Sequence, residues 1–370
     1  MRPFLSRSPH PRKRQERPFL DSCLNGSTLR HEMSFYISTL CVYFVIYALG
    51  ALSLNFQFGV GGIVNFAFII FEAIGAYVAA ITSLGSPHGA LAFGQRFLWG
   101  ASWPFPLPLV AAGAAGGLLA LVIGPATMRK MRRDYQAAAT LAIALIANQV
   151  ISNATGLFNG AAGLAGVPAP MSNLTASFTA YHWIYVVWAA ILGLVGYVVM
   201  TRLSKSPFGR TVRAIRDDED AAVAIGKNLL RTRLCVFVIG GVVAGVTGGL
   251  LVEFIGAWGP SAWGYAESFV ILQAVILGGV GNERGALIGA FLVGIVLSEG
   301  PRLIPAIGYP GLIDSLEWIV IGGIYLIVLW FRPQGLLPER PALSLTGRAR
   351  RDADESATSS SAPDHDRSWA

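Results

Sequence analysis

The side chains with the clearest potential for chemistry are the few polar groups inside the apolar runs. Glu72 follows a Gly-rich stretch that holds Asn55, Gln57 and Asn65. A charge inside a bilayer is costly unless it faces water or a partner, so such residues often mark the path of a solute or an ion. An interhelical hydrogen bond or salt bridge is the alternative explanation for Glu72.

The candidate pathway residues lie in two Gly-rich broken segments, the first at residues 51–82 and the second at residues 266–299, and in the apolar runs beside them. They are Asn55, Gln57, Asn65, Phe68, Glu72, Asn148, Gln273 and Asn282. Irregular backbone in lipid is tolerated only where protein buries it or where it lines a wet cavity, so paired breaks predict a transport pathway. The alternative is that the glycines only let helices pack closely.

No pattern in the sequence supports an intramembrane enzyme. The H-E-x-x-H, G-x-S-x-G and P-loop motifs are absent, and the three Cys have no metal or redox spacing. No series of carboxylates or His crosses the membrane, as a proton-driven pump would require. We therefore expect no catalytic site, metal or cofactor in this chain, and we expect any ATP to be bound by a partner subunit.

Composition predicts the class of protein that must position these residues. Charged residues make up 13% of the 370 residues and hydrophobic residues 54%, whereas soluble domains average about 25% charged residues. This excludes a soluble enzyme and a disordered protein, and it predicts an all-α, polytopic helical membrane protein. The net charge of +7 is concentrated in short segments between apolar runs, which is typical of cytoplasmic loops and argues against nucleic-acid binding.

The chain divides into three predicted regions. Residues 1–33 form a polar, basic leader, and translation from Met33 is the alternative to a cytoplasmic arm. Residues 34–338 form the transmembrane domain, with a cytoplasmic loop at 202–233. Residues 339–370 are rich in Ser, Asp and Arg, and we expect them to form a disordered cytoplasmic tail.

The basic clusters predict about ten crossings, within a range of roughly eight to ten. If every basic cluster is cytoplasmic, about six crossings precede the loop at 202–233, about four follow it, and both termini are cytoplasmic. This count requires residues 34–50 and 51–65 to be separate crossings, and residues 266–299 to turn at their Gly-rich break. A start at Met33 leaves an outside start with about nine crossings as the alternative.

The longest internal loop carries the most specific signal. It contains SKSPFGRTVRAIRDDEDAAVAIGKNLLRTR, residues 204–233. Ser206 before Pro207 predicts a helix start, the acids at 217–218 predict a second, and Gly226 predicts a helix stop. Two short amphipathic helices would form a docking surface, and the acidic cluster favours a protein partner over anionic lipid. One face of the first helix is apolar, with Phe208, Val212 and Ile215.

Five stretches of the sequence, in this order, resemble the permeases of branched-chain amino acid (Liv-type) ABC transporters. They are LSLNFQFGVGGIVNFAFIIFEAIGAYVAA, TGLFNGAAGLAGVP, SPFGRTVRAIRDDEDAAVAIGKN, LGGVGNERGALIGAFLVG and FRPQGLLPER. The resemblance covers about residues 34–340 and is specific for the family. The coupling loop is nearer to the M-like of the family's two permease types.

The resemblance implies a membrane subunit of a bacterial ABC importer in the inner membrane. Its partners would be membrane lipid, a second and different permease subunit, two ATP-binding cytoplasmic ATPases and a periplasmic substrate-binding protein. Residues 153–180 and 257–265 would face the binding protein. The residues that the resemblance places at the ATPase groove are Ser206, Gly209, Arg213, Ala214, Asp217, Glu219 and Gly226.

Two departures from the family pattern leave the solute open. The family has a small residue and a His near the position of Phe68, and an apolar residue where this chain has Glu72. The expected solutes are Leu, Ile and Val or another neutral amino acid, and urea or a short amide is the alternative. The competing classes are a stand-alone secondary transporter, which would need paired acidic or cation sites in both breaks, and a passive channel, which would not need the docking loop.

Overall fold

The fold is an assembly of helices, seen in a computed structural model. The structure describes residues 26–85, 95, 101–128, 133–171, 177–297 and 310–339. The helices are α1 (Gly26–Asn55), α2 (Phe68–Ser83), α3 (Leu107–Met128), α4 (Arg133–Asn153), α5 (Thr155–Phe158), α6 (Phe178–Lys205), α7 (Pro207–Asp217), α8 (Glu219–Ala224), α9 (Leu229–Ile255), α10 (Tyr265–Gly278), α11 (Glu283–Phe291) and α12 (Pro310–Phe331). Two short strands, β1 (Leu164–Ala165) and β2 (Ala257–Trp258), pair antiparallel.

Six helical segments are long and apolar enough to cross a membrane within the described ranges. They are Met33–Val60, Leu107–Met128, Tyr135–Asn153, Phe178–Lys205, Leu229–Ile255 and Pro260–Gly278. The segments Phe68–Ser83 and Gly322–Phe331 are apolar but shorter. These lengths agree with the roughly 20 residues that a tilted span requires. The prediction of an all-α, polytopic membrane protein is therefore confirmed.

The predicted division of residues 34–65 into two crossings is wrong. α1 runs without interruption to Asn55 and continues as a π-helix over Phe56–Val60. The polar residues that suggested a break are accommodated inside this helix, because Asn55 and Gln57 are buried against protein partners. The chain leaves the helix only at residues 61–67. The count of ten crossings is accordingly not confirmed.

The two ends of the described chain lie at opposite ends of the bundle. Near the start of α1, the hydroxyl of Ser34 accepts a hydrogen bond of 2.9 Å from the indole of Trp183, in the first turns of α6. Glu339 instead contacts Arg213, which follows the last turn of α6. The prediction that both termini are cytoplasmic stays a prediction. Residues 1–25 and 340–370 lie outside the described residues.

Glycine-mediated contacts hold α9 at the centre of the bundle between α2 and α3. A Cβ atom at Gly75 of α2 would collide with the backbone of Gly245 in α9, and one at Gly116 of α3 would collide with the carbonyl of Gly241. A Cβ atom at Gly248 would collide with the carbonyl of Glu72. Small residues allow helix backbones to approach this closely, which is a common way for helices to associate in lipid.

The close approach of α9 to α2 predicts that Gly248→Ala destabilises the bundle. Forcing an extra methyl group against backbone should lower the free energy of unfolding by about 1–3 kcal/mol. A detergent titration measures this free energy. Gly322→Ala is the matched control, since no atom lies within 4 Å of a Cβ atom built at that helical position. Equal stability of the two variants would contradict the packing described here.

Candidate functional site

The helix pair α7 and α8 forms as the sequence predicts. The hydroxyl oxygen of Ser206 accepts a hydrogen bond of 3.2 Å from the backbone N–H of Gly209, and Asp218 caps α8 through Ala221 N–H at 2.9 Å. Both are standard N-cap arrangements. Gly226 follows with φ of 77°, a left-handed conformation that favours glycine. The predicted helix starts and stop in this loop are confirmed.

The inner face of α7 packs against the end of the bundle. Val212 and Ile215 are buried, and Phe208 is partly buried against the same hydrophobic core. A Cβ atom at Gly209 would collide with the carbonyl of Ser204, so α7 lies directly against the last turn of α6. The helix pair is thus fixed to the membrane domain by its own amphipathic face.

Two arginines of α7 and one glutamate form the polar part of this contact. The guanidinium of Arg213 donates to Glu339 Oε1 at 3.0 Å, to the Ser204 carbonyl at 3.1 Å and to the Ser204 hydroxyl at 2.8 Å. Arg216 Nη1 lies 2.9 Å from Glu339 Oε2. We call Arg213, Arg216 and Glu339 the Arg–Glu cluster. Their side chains are 22%, 21% and 26% exposed, so water screens these ion pairs only in part.

The electrostatics of the Arg–Glu cluster keep Arg216 firmly charged. Partial burial lowers the pKa of its guanidinium, but the hydrogen bonds and charges of Glu339 and Asp217 raise it more, so the pKa lies above its ordinary value. Arg216 also donates a hydrogen bond to the carbonyl of Gly59, in the π-helical end of α1. One side chain of α7 therefore contacts the first broken segment directly.

The C-terminal segment, residues 332–339, places Glu339 beside the second broken segment. The N–H groups of Leu336 and Leu337 donate to the carbonyls of Leu277 and Gly278, each at 2.9 Å. The side-chain amide of Asn282 donates to the carbonyl of Leu337 at 3.3 Å. The predicted tail, residues 339–370, stays a prediction beyond Glu339, because residues 340–370 lie outside the described residues. Sequence reasoning missed Glu339 as a site residue, although it lies in the stretch FRPQGLLPER.

The two broken segments meet each other at this same place. Asn55 Oδ1 accepts a hydrogen bond of 2.9 Å from the N–H of Gly281, whose φ of 82° is left-handed. Asn65 donates to Gln57 Oε1 at 2.7 Å, and its own oxygen accepts from Ala67 N–H at 3.0 Å. The side-chain oxygens of all three amides are thus bonded where the helices stop, whereas the buried Gln57 Nε2 has no hydrogen-bond partner.

The predicted ATPase-coupling residues divide into an inner and an outer group. Ser206, Gly209 and Arg213 are engaged with the bundle, as described above, and Glu219 pairs with Arg233 at the start of α9. The outer group is exposed and consists of Ala214, Asp217 and Gly226. Sequence reasoning missed two apolar side chains beside them, Val223 and Ile225, which are 55% and 70% exposed. The signal in the sequence was the position of these two aliphatic residues among charged residues, because exposed apolar groups often mark an interaction site.

The predicted pathway residues do not form one site. Glu72 lines a cavity between α1, α2 and α10, whereas Phe68 is fully buried in the hydrophobic core. The side-chain amide of Asn148 donates to the carbonyls of Pro260 and Trp263 at 3.1 and 2.8 Å, so it bonds the loop that precedes α10. Gln273 is in α10, with a buried side-chain oxygen that has no hydrogen-bond partner. Asn282 caps α11 through the N–H groups of Arg284 and Gly285.

The fold and this site define a polytopic helical membrane protein that presents a compact helix pair at one end of its bundle. Comparison with known proteins then assigns the family. The chain belongs to the family described as "Branched-chain amino acid transport system / permease component", whose model matches residues 36–329. It is thus a transporter permease, as the five sequence stretches predicted.

Curated relatives of both permease types are similar to the chain. It is 30% identical to the high-affinity branched-chain amino acid transport system permease protein LivM of Escherichia coli, over 85% of this chain and 72% of that protein. It is 26% identical to a probable LivM permease of Methanocaldococcus jannaschii, over 83% and 95%. It is 29% identical to LivH of Escherichia coli, over 79% and 91%. The prediction of an M-like type is confirmed. No solved structure matches the chain.

The Arg–Glu cluster predicts that Glu339→Gln loosens α7. Partly exposed ion pairs contribute up to about 1 kcal/mol each, so amide hydrogen exchange of residues 207–217 should be faster by about twofold to fivefold. Asp220→Asn is the control, because Asp220 is an exposed acid on the neighbouring α8. Unchanged exchange in α7, or an equal increase throughout the bundle, would contradict the role given to Glu339.

Proposed function

We propose that this chain is a transmembrane permease subunit of a bacterial ABC importer for branched-chain or other neutral amino acids. The observation that carries the proposal is the two-sided contact of α7 and α8. The inner side of α7 bonds to the first broken segment through Arg216 and, through Glu339, to the C-terminal segment that pairs with the second. The outer side of the helix pair is exposed. A separate ATPase would dock on the outer side, and the permease itself would perform no chemistry.

Coupling would pass through Arg213 and Arg216. ATPase closure displaces α7, and Arg216 transmits this displacement to Gly59 at the end of the first broken segment. Glu339 transmits it to the C-terminal segment and hence to the second break. ATP binding would shift the population between two arrangements of the breaks, because the ATPase binds one arrangement more tightly.

The same geometry supports an assignment of sides. If α7 and α8 face the cytoplasm, then the C-terminal segment beside Arg213 is cytoplasmic and the start of α1 is at the outer face. The outer face also holds β1, β2 and the loops around them, where a periplasmic binding protein would dock. The exposed aliphatic faces of α3 and α6 would meet lipid or a second permease subunit. This arrangement corresponds to an odd number of crossings, about nine by the spacing of basic segments.

The branched-chain solute class rests on the names of the relatives, since each is called a branched-chain amino acid transport permease. Urea or a short amide is the second candidate, favoured by the replacement of an apolar residue by Glu72. A stand-alone secondary transporter is less well supported, because Asn282 in the second break is engaged in capping α11 and in binding the C-terminal segment.

The proposed docking surface predicts that Ile225→Glu reduces retention of the ATPase. Removing one central apolar contact from an interface commonly costs more than about 1 kcal/mol, so affinity should fall by about tenfold. The measurement is co-purification of the permease with a co-expressed candidate ATPase subunit, followed by ATP-driven uptake. Ile225→Leu is the matched control and should retain the ATPase. Retention by Ile225→Glu equal to wild type would place the docking surface elsewhere.

The assignment of sides predicts opposite labelling of Phe35 and Ile225. Both side chains are exposed, at 40% and 70%. In a background without native cysteines, Phe35→Cys should react with a membrane-impermeant maleimide in intact spheroplasts. Ile225→Cys should react only after permeabilisation. Reaction of both positions under the same condition would contradict the proposed orientation.

A further inference from the structure

The exposed side of the helix pair carries two patches of opposite charge. Asp217, Asp218 and Asp220 are exposed where α7 ends and α8 begins, and we call them the acidic patch. Lys227 and Arg231 are exposed beyond α8, where α9 begins, and we call them the basic patch. A segment that covers this side of the helix pair therefore meets acids first and bases second.

Most of the charge of the acidic patch is not neutralised. Asp217 lies 3.1 Å from Arg216, but its side chain stays 67% exposed. Asp218 and Asp220 form no ion pair with another described residue. Like charges held this close repel one another, so a cationic segment that binds here relieves the repulsion.

Two exposed aliphatic residues separate the patches. They are Val223 and Ile225, which belong to the proposed docking surface for the ATPase. A segment that contacts both patches must pass over them. It would therefore exclude any other protein from the same surface.

The C-terminal segment delivers the end of the chain to this surface. Glu339 is held on α7 by Arg213 and Arg216, at 3.0 and 2.9 Å. The acidic patch begins one turn beyond Arg213, about 6 Å further along α7. Nine residues lead from Glu339 to Arg348, and a chain of that length spans up to about 30 Å. Residues 340–370, which lie outside the described residues, can therefore reach both patches.

The sequence of residues 340–370 has the complementary order of charges. Residues 340–351 contain four arginines and no acid, whereas residues 352–366 contain five acids and no Lys or Arg. The arginines are Arg340, Arg348, Arg350 and Arg351, and the acids are Asp352, Asp354, Glu355, Asp364 and Asp366. Bases followed by acids in this segment match acids followed by bases on the helix pair.

This order of charges favours a protein surface over a lipid surface. Anionic lipid headgroups attract a cluster of arginines, but they repel the acids that follow directly after it. The exposed side of the helix pair offers both signs of charge. It therefore suits the whole of residues 340–366, whereas a lipid surface suits only the first part.

We propose that residues 340–370 bind across the exposed side of the helix pair and compete with the ATPase for it. Residues 348–351 would pair with the acidic patch, and residues 352–355 with the basic patch. Exposed ion pairs are individually weak, so binding depends on several of them and on the attachment at Glu339, which keeps the effective concentration high. The cover is therefore reversible. Its regulatory effect rests on the proposed function, whereas the contact within the chain does not.

Disulfide formation between two cysteines tests the contact. Ala221, which is exposed beside the acidic patch, and Ala349 are replaced by Cys in a full-length chain without native cysteines, in phosphatidylcholine nanodiscs. We expect an intramolecular disulfide under mild oxidation. Salt at about 1 M, which shortens the screening length to about 3 Å, should slow it by about tenfold, and so should the triple change Arg348→Glu, Arg350→Glu and Arg351→Glu, since several ion pairs are lost together.

Two matched controls accompany this experiment. Changing the same three arginines to Lys keeps their charge and should preserve the disulfide. Ser177→Cys with Ala349→Cys should form no disulfide, because Ser177 is exposed before α6, at the opposite end of the bundle.

The affinity of the permease for a co-expressed candidate ATPase subunit tests the competition. The ATPase binds only the uncovered fraction of the permease, so the triple Glu variant should bind it about threefold to tenfold more tightly than wild type. ATP-driven uptake should increase with it. The triple Lys variant should bind the ATPase as wild type does.

The possible failures are distinguishable from one another. Disulfide formation at the same rate in the triple Glu variant and in 1 M salt would overturn the contact. Loss of the disulfide when phosphatidylglycerol replaces phosphatidylcholine would assign the arginines to lipid and also overturn it. Equal ATPase affinity of wild type and the triple Glu variant would overturn the competition. Absence of any ATPase binding, with the disulfide intact, would instead refute the importer function.

Discussion

Every backbone group that leaves a helix inside this bundle needs a protein partner, because lipid offers none. The broken segments meet this constraint in part by bonding to each other and to the C-terminal segment. Asn55 of the first segment accepts from Gly281 of the second, and Leu336 and Leu337 extend the chain past the second break to pair with Leu277 and Gly278. The breaks are therefore bonded to each other and to the C-terminal segment, and a change in one requires a change in the others.

The helix pair α7–α8 is attached at the same junction. Arg216 reaches the Gly59 carbonyl, and Glu339 joins both arginines of α7 to the segment that covers the second break. If α7 moved alone, it would lose both its apolar packing and its ion pairs. A displacement of α7 is therefore passed on to the segments that it contacts. Under the proposed function, the C-terminal segment therefore belongs to the coupling apparatus.

α2 connects this junction to the cavity. It begins just after the first break and carries Glu72 in its second turn. Close contacts through Gly75 and Gly248 fix α2 on the central helix α9, so the position of Glu72 depends on backbone packing more than on hydrogen bonds of its own side chain. α2 therefore joins the junction beside α7 to the centre of the bundle.

The sequence by itself determined the class, the family and the local helix boundaries. Hydropathy over whole spans, the Ser206 cap, the Asp218 cap and the Gly226 stop depend on neighbouring residues, so they can be read from a linear pattern. The sequence did not reveal that residues 34–60 form one helix, because the polar Asn55 and Gln57 look like a break until their partners on distant segments are known. It also did not separate Glu72 from the other pathway candidates or identify Glu339. Those distinctions depend on contacts between residues far apart in the chain, such as Arg213 with Glu339, and only the tertiary structure brings them together.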